Sequence, residues 1–169
     1  SVIVDYLTST GVPRVYFGGM IIRGVKERGW EVNEENERKF REEIRVTEGK
    51  DWVVRQVIKE IHELTWAGQR RVVLDGLYSW TEYKILKKEF PEVVTMLAIL
   101  TPKKLRYKRV GQREVRPLSL EEIRARDKAE IENLEKGGPI AMADYFVVNE
   151  GTVEETRKKV ERVLKEIRW

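Results

Sequence analysis

The sequence predicts an α/β fold in which a parallel β-sheet is sandwiched between layers of helices. Stretches with strand character alternate along the chain with stretches of helical periodicity, a pattern typical of such sheets. Residues 93–100 are almost continuously apolar, as in strands that are buried on both faces. The 169 residues are enough for one domain with a sizeable core. We therefore expect a single domain over residues 1–169, with no linker and no internal repeat.

Glycines and helical periodicity divide the first half of the chain. The predicted elements are a helix over 2–7, a strand over 14–17, a helix over 20–28, a helix capped by Asn33 that runs through Phe40 and Ile44, and a helix over 52–66. Gly11, Gly29 and Gly68 follow three of these helices. Glycine marks such ends because it accepts the backbone conformation that stops a helix.

Capping residues mark the helices of the second half. The predicted elements are strands over 71–75, 93–100 and 145–148, helices opened by Ser79 with Glu82, by Thr101 with Pro102 and by Ser119 with Glu122, and a last helix over 153–167 opened by Thr152 with Glu155. A serine or threonine followed three residues later by glutamate can satisfy two free N–H groups at a helix start. Proline is favoured at the first helical position because it lacks the N–H that would stay unpaired there.

Composition excludes several kinds of site and partner. The sequence has no cysteine, so a thiolate metal site is impossible. It has one histidine, His62, so a histidine-based zinc site or catalytic triad is nearly excluded. We interpret His62 as a structural residue. No apolar run is long enough to span a bilayer, so we expect a cytoplasmic protein without a membrane partner. The sequence has 33 basic and 29 acidic residues, so basic residues are in mild excess. This excess does not indicate a nucleic-acid partner, but it suits a pocket for phosphorylated small molecules.

The sharpest local signal is Asp75, which ends a predicted strand and is followed by Gly76. Parallel sheets bind their ligands at the carboxyl ends of the strands. A carboxylate there can hold the Mg²⁺ that bridges transferring phosphates. A plain Asp-Gly turn is the alternative interpretation.

Two further segments have features of a ligand site. Gly18 and Gly19 lie between a predicted strand and helix, where glycines let the backbone approach an anion, and Arg23 follows one helical turn later. A strand that leads into Asn149 and Gly151 can present backbone groups to an adenine ring. The alternatives are a solvated arginine and an ordinary strand-to-helix turn.

Residues 106–127 are rich in arginine and predict a mobile lid. The stretch contains Arg106, Arg109, Arg113, Arg116, Arg124 and Arg126 and closes with Asp127. A lid of this kind neutralises a polyphosphate and excludes water. The alternative is a solvated basic face that RNA could contact, and we expect about half of these arginines to be ordinary surface residues.

The order of these segments resembles the P-loop kinases, in particular the bacterial and archaeal ATPases similar to dephospho-CoA kinase and adenylate kinase, over nearly the whole chain. The matching positions are Leu74-Asp75-Gly76 for the family's Leu-Asp-Gly, Gly19 and Arg23 for the acceptor side of adenylate kinases, Arg106 and Arg109 for the start of the lid, 124–127 for its end, and 143–151 for the adenine-side loop of dephospho-CoA kinases. Ser1 aligns with the hydroxyl position of Gly-Lys-[Ser/Thr] in the phosphate-binding loop.

The resemblance implies the nucleoside monophosphate kinase-like fold of P-loop NTPases, with ATP and Mg²⁺ as cofactors and a small-molecule phosphate acceptor as partner. It implies metal contacts from Ser1 and Asp75, and nucleotide contacts from Ser1, Asn149 and Gly151. It places Gly18, Gly19, Arg23 and Gly76 on the acceptor side and gives catalytic roles to Asp75, Arg109, Arg116 and Arg126. We expect a monomer or a homodimer.

The sequence departs from the resembled families at two places. It contains no Gly-x-x-x-x-Gly-Lys and no strand before such a loop, although that strand lies centrally in the sheet of this fold. Because its loss would expose the edges of both neighbouring strands, we expect these residues to precede Ser1 in the natural protein. On the acceptor side, the charged residues that the resembled families carry are absent. The uncharged positions here are Met20, 17–19 and 78–79.

The function predicted from the sequence is that of an ATP-dependent small-molecule kinase with a nucleotide-like or dephospho-CoA-like acceptor. An alternative from another class is a nucleotide-binding regulatory or RNA-associated module that transfers no phosphate. A third is a kinase whose acceptor is a phosphorylated metabolite outside the nucleotides.

Overall fold

The structure is a computed structural model that describes residues 2–114 and 117–169. These residues form the helices α1 (Val2–Thr8), α2 (Phe17–Glu27), α3 (Glu34–Thr47), α4 (Trp52–Trp66), α5 (Trp80–Glu89), α6 (Lys103–Gly111), α7 (Leu120–Glu132), α8 (Gly137–Ala141) and α9 (Val153–Glu166). The strands are β1 (Arg14–Tyr16), β2 (Val73–Asp75), β3 (Leu97–Leu100) and β4 (Tyr145–Val148). Ser1 and Arg116, both predicted as site residues, lie outside the described residues.

All described strand pairs are parallel, and helices follow each strand along the chain. β1 pairs with β2, with Tyr16 opposite Asp75, and β3 pairs with β4, with Leu100 opposite Val148. Parallel pairs need a crossover connection, which the intervening helices supply. The predicted α/β class with parallel strands is confirmed.

The chain forms two compact units. The first comprises residues 2–77 and 81–94 and contains the β1–β2 sheet. The second comprises residues 78–80, 95–114 and 117–169 and contains the β3–β4 sheet. The expected single-domain organisation stays a prediction. None of the described helices combines the length and the apolar character needed to cross a bilayer.

The first unit is built around β1 and the helices α2 and α4. Its main core consists of the buried residues Val15, Phe17, Met20, Val54, Val57 and Leu86. A second cluster joins α2 to α3 and consists of Ile21, Val25, Phe40 and Ile44. Gly24 is required at this contact, because a Cβ atom there would lie 2.1 Å from the Cζ atom of Phe40. The apolar residues of α2 thus serve two packing surfaces at helical spacing.

The second unit places α9 against β4. Val147 of β4 and Val160 of α9 are fully buried or nearly so, as are Ala98 of β3 and Ile123 of α7. The predicted capping boxes form at both Ser119–Glu122 and Thr152–Glu155, and they fix the starts of α7 and α9. Accepting the backbone N–H of the capping residue lowers the pKa of both glutamates.

Several predicted boundaries are wrong in an instructive way. β1 ends at Tyr16 and α2 begins at Phe17, so Gly18 and Gly19 lie in the first helical turn rather than in a loop. β3 begins only at Leu97, and Val93 is 81% exposed, so the segment 93–100 is not one strand buried on both faces. Pro102 stands at the N-cap of α6 instead of its first turn.

Candidate functional site

The predicted metal ligand Asp75 lies at the carboxyl end of β2 and is paired with Arg14. The Arg14 guanidinium donates a hydrogen bond to Asp75 Oδ2, and the Asp75 side chain is 16% exposed. Arg14 begins β1, and the parallel register brings it within reach of the residue two positions beyond its own partner. Gly76 follows with a φ of 88°, a conformation that favours glycine. Asp75 is therefore at the ligand-binding edge of the sheet and already has a cationic partner.

Tyr16 covers the start of α2, where an anion was predicted to bind. Its ring centroid lies 4.5 Å from the Arg14 guanidinium carbon. A Cβ atom at Gly18 would lie 2.6 Å from the Tyr16 hydroxyl oxygen, and one at Gly19 would lie 3.2 Å from its ring. Both glycines thus leave room for an aromatic ring. An anion at the N-terminus of α2 requires this ring to move.

Arg23 borders a cleft of about 140 Å³ between α2 and α4. Arg23 Nη2 donates to Glu60 Oε2 at 2.6 Å, and the arginine side chain is 58% exposed. The remaining lining consists of Met20, Gly24, Glu27, Trp52, Gln56, Lys59 and Glu63. Arg23 is therefore neither an isolated surface residue nor a free cation, because a carboxylate neutralises it at the rim of the cleft.

The two ends of the predicted lid are joined by an ion pair. Arg106 of α6 donates from Nη1 and Nη2 to the two oxygens of Asp127 in α7, at 2.5 and 2.7 Å. The Tyr107 hydroxyl donates to the same carboxylate at 2.8 Å. The hydrogen bonds from Arg106 are the largest cause that lowers the pKa of Asp127 to about 2. The predicted lid residues at these positions therefore hold α6 and α7 together.

Arg126 is a surface residue in this structure. Its Nε atom donates to Glu130 Oε1 at 3.1 Å, one helical turn away, and its side chain is 63% exposed. Arg113 and Arg124 are exposed as well. Of the five lid arginines that the structure describes, Arg113, Arg124 and Arg126 are thus exposed, and the predicted catalytic role of Arg126 stays a prediction.

Arg109 brings together two segments that were singled out separately in the sequence. Its Nη1 atom donates to the Asn149 carbonyl at 3.1 Å and to Asn149 Oδ1 at 2.8 Å, and its Nη2 atom donates to the Gly151 carbonyl at 2.7 Å. The Thr156 hydroxyl donates to the same Asn149 Oδ1 at 3.1 Å. The Asn149 N–H donates to the Leu100 carbonyl at 2.7 Å, which places the cluster at the carboxyl edge of the β3–β4 sheet.

Four residues of the candidate site were not predicted from the sequence: Arg14, Tyr16, Glu60 and Thr156. A signal existed for three of them. Arg14 and Tyr16 are alternate residues of one strand and therefore share a face. Thr156 follows the helix cap Thr152 by one turn and so lies on the same side of α9. The partners Asp75 and Glu60 depend on strand register and helix packing, which sequence spacing does not reveal.

Among residues 2–114 and 117–169, no three acidic or histidine side chains gather into a group that could hold a metal ion. Asp75 is the carboxylate that ends a strand at the ligand-binding edge of its sheet. Mg²⁺ is commonly held through one or two carboxylates together with phosphate oxygens of the substrate. Among the described residues, Asp75 thus stands outside any cage of acidic or histidine side chains.

Comparison with known proteins gives a family and a fold. No protein-family profile matches the sequence. The chain is 31% identical over 170 residues to a UPF0200 protein of Thermococcus onnurineus, covering 99% of this chain and 91% of that one. It is 32% identical to one of Thermococcus kodakarensis, with the same coverage, and 31% identical over 156 residues to one of Methanosarcina mazei, covering 91% and 81%.

Among solved structures, the chain is similar to a dephospho-CoA kinase from Campylobacter jejuni. The TM-score is 0.53 at 21% identity, and the match covers 98% of this chain and 90% of that one. At this identity the likeness establishes the fold, which is the α/β fold of P-loop NTPases. The sequence relatives establish the family, and the chain belongs to the UPF0200 protein family.

Proposed function

We propose that this protein is a P-loop kinase-like phosphotransferase that uses ATP and acts on a small-molecule acceptor of the nucleotide or dephospho-CoA kind. The observation that supports the proposal is the group of hydrogen-bonded residues Arg109, Asn149, Gly151 and Thr156, called the Arg109 cluster below. Two segments 40 residues apart, one from the arginine-rich stretch and one from the loop after β4, meet at the carboxyl edge of a parallel sheet. Ligands of open α/β sheets bind at this edge.

The Arg109 cluster suits a nucleobase. Three hydrogen bonds hold the guanidinium against the Asn149–Gly151 loop. An arginine fixed in this way can offer its flat face to a planar ring, since guanidinium groups stack on aromatic systems. The fixed geometry also lowers the entropy lost when a base is bound.

Asp75 fits a role at the metal. Its carboxylate is the hard oxygen ligand that Mg²⁺ prefers, and it is partly accessible at 16% exposure. When bound, the metal would neutralise charge on the transferring phosphates. Arg14 keeps the carboxylate in place in the absence of ligand.

The acceptor is assigned to the cleft that Arg23 borders. Arg23 can bind a phosphate in a bidentate manner once Glu60 releases it. Such enzymes work mainly by positioning and electrostatics, so side chains that orient the two substrates are the chemistry the protein must supply. The cleft residues Gln56 and Trp52 would contribute hydrogen bonding and apolar contact to the acceptor.

One observation favours a second function, a nucleotide-binding module that transfers no phosphate. Asp75 and Arg23 are the charged residues of the first unit that are assigned to phosphoryl transfer. Both already form ion pairs, Asp75 with Arg14 and Arg23 with Glu60. A module that binds a nucleotide through the Arg109 cluster alone needs neither residue to be released.

The test is calorimetry of ATP binding to the natural full-length protein, with and without magnesium, followed by an acceptor screen. Asp75→Asn removes the charge of the proposed metal ligand, and Arg14→Gln removes its partner while the carboxylate stays. The proposal expects binding that requires magnesium, weakens in Asp75→Asn and does not weaken in Arg14→Gln. The screen then measures phosphate transfer from ATP to nucleoside monophosphates, dephospho-CoA and phosphorylated metabolites.

The outcomes separate the candidate functions. Binding with transfer supports the kinase, and the acceptor that turns over identifies its class. ATP binding that does not depend on magnesium, without phosphate transfer to any acceptor, supports the non-catalytic module. No ATP binding by the folded protein refutes both.

A further inference from the structure

Tyr16 lies at the carboxyl end of β1, directly beside the proposed metal ligand. In the parallel register Tyr16 is opposite Asp75, and the backbones of adjacent strands lie about 5 Å apart. The Arg14 guanidinium carbon lies 4.5 Å from the centroid of the Tyr16 ring, and the same guanidinium binds Asp75. These three side chains therefore form one contiguous group at the edge where parallel sheets bind their ligands.

The Tyr16 hydroxyl is the polar group of this set that remains for a ligand. Arg14 and Asp75 neutralise each other. The Tyr16 hydroxyl, in contrast, forms no hydrogen bond within residues 2–114 and 117–169, and 38% of the residue is exposed. A phenol can both donate and accept a hydrogen bond, so it can contact an alcohol as well as a phosphate oxygen.

The position of this hydroxyl is fixed by its neighbours. Arg14 holds the ring through a cation–π contact. The first turn of α2 approaches so closely that a side chain at Gly18 would lie within 2.6 Å of the hydroxyl oxygen. A polar group that is held in one position loses little entropy when it contacts a ligand.

Tyr16 also lies at the end of the helix face that borders the acceptor cleft. Met20, Arg23 and Glu27 line that cleft, and they follow Tyr16 by four, seven and eleven residues, the spacing of one helix face. At 1.5 Å per residue, Arg23 lies roughly 10 Å along α2 from Tyr16. An acceptor whose phosphate is bound by Arg23 can therefore extend along this face to Tyr16 and Asp75.

We propose that the Tyr16 hydroxyl contacts the acceptor oxygen to which the phosphate is transferred. This role rests on the proposed kinase function and adds to it a residue at the reacting atom. In the transfer, the acceptor oxygen forms a bond to the γ-phosphorus of ATP. The bond from that phosphorus to the oxygen of ADP breaks and leaves its electron pair on ADP, and a proton on the acceptor oxygen leaves to water.

The contact orients the acceptor oxygen and does not remove its proton. Phosphoryl transfer passes through a loose transition state, so positioning contributes more than a base does. Phe17, Gly18 and Gly19 follow Tyr16, so the end of β1 provides no carboxylate that could act as a base. An uncharged hydroxyl at this place can orient the acceptor without repelling the phosphates.

Tyr16→Phe is the decisive variant, because it removes the hydroxyl and keeps the ring. Phosphate transfer from ATP is measured with AMP, dephospho-CoA and the phosphorylated metabolites of the screen, and the acceptor with the highest turnover is used. The expected result is a kcat lowered by about 2- to 13-fold, the effect of losing one hydrogen bond between uncharged groups. ATP affinity and the unfolding temperature should not change, since the described residues offer this hydroxyl no partner.

The separation of kcat from KM shows where the contact is made. Loss of a contact at the reacting oxygen lowers kcat, whereas loss of a contact that only binds the acceptor raises KM and leaves kcat unchanged. Tyr83→Phe is the matched control, because it removes the hydroxyl of a buried tyrosine in α5 and should leave kcat unchanged. A kcat that is unchanged in Tyr16→Phe, or lowered equally in Tyr83→Phe, overturns the proposal.

Gly18→Ala tests the same contact from the side of the helix. Its methyl group would lie 2.6 Å from the hydroxyl oxygen of Tyr16, so the tyrosine side chain has to move. We expect kcat to fall in Gly18→Ala. The combined variant with Tyr16→Phe should lose less than the product of the two single losses, because both changes remove one contact. Losses that multiply fully would contradict the shared contact.

The same measurements distinguish this role of Tyr16 from the proposed function. If no acceptor receives phosphate from ATP, the kinase function fails and the role of Tyr16 fails with it. If transfer takes place and Tyr16→Phe transfers phosphate with the same kcat, only the role of Tyr16 fails.

Discussion

The ion pair between Arg106 and Asp127 gives the most quantitative prediction of stability, through the variant Asp127→Asn. Folding lowers the pKa of Asp127 from 3.8 to about 2. A shift of this size corresponds to at most about 2.5 kcal/mol of stability at neutral pH. The Arg106 side chain is 39% exposed, so solvent screening reduces the value, and we expect Asp127→Asn to cost about 1–2 kcal/mol.

The pH dependence of this cost follows from the direction of the shift. Because folding lowers the pKa of a carboxyl group, its stabilisation is complete above the unfolded value of 3.8 and is lost as the pH falls toward 2. The assay is urea unfolding of the unchanged protein and of Asp127→Asn. The free energy of unfolding should differ between the two proteins by the same amount near pH 7 and near pH 5. Near pH 3 this difference should be smaller.

A neighbouring ion pair provides the control. Arg126→Gln removes an exposed pair with Glu130 on the same helix and should cost about 0.5 kcal/mol or less. A double-mutant cycle between Arg106→Gln and Asp127→Asn isolates the pair itself. A coupling energy near zero, or a cost of Asp127→Asn that does not change down to pH 3, would refute the reasoning.

Three further predictions concern packing, capping and the acceptor cleft. Gly24→Ala places a methyl group against the ring of Phe40 and should destabilise the protein by about 1–3 kcal/mol in thermal unfolding, and an unchanged stability would show that the α2–α3 contact can relax. Ser119→Ala removes the cap of α7 and should cost about 1 kcal/mol, whereas a helix that does not depend on its cap would lose nothing measurable. Glu60→Gln leaves Arg23 without its anionic partner and should strengthen the binding of inorganic phosphate in calorimetry, and unchanged binding would argue against an acceptor phosphate at this arginine.

The sequence predicts those elements whose causes are local. The capping boxes at Ser119 and Thr152 form as expected, and β4 has the predicted bounds, because the required residues are neighbours along the chain. The class of the fold follows from the alternation of elements. The start of β3 could not be predicted, since apolar residues such as Val93 do not by themselves show which of them the fold covers.

The candidate site is predictable in part. Asp75 and the Asn149–Gly151 loop are found because strand ends of parallel sheets are recognisable in the sequence. The ion pairs of Asp75 and Arg23 were missed, because each partner is brought into place by pairing or packing between distant segments. The contact between Gly18 and the Tyr16 ring was also not predicted, and the acceptor-side role of Gly18 stays a prediction.

The parallel pairing within each unit has a consequence for how the protein folds. The paired residues Arg14 and Val73, and likewise Leu97 and Tyr145, lie far apart along the chain. Closing loops of this length costs about 3–4 kcal/mol of chain entropy, apart from a constant, before any strand contact repays it. The helices between the strands must therefore supply structure first. We therefore expect strand pairing to be a late event, on a surface that the helices have already formed.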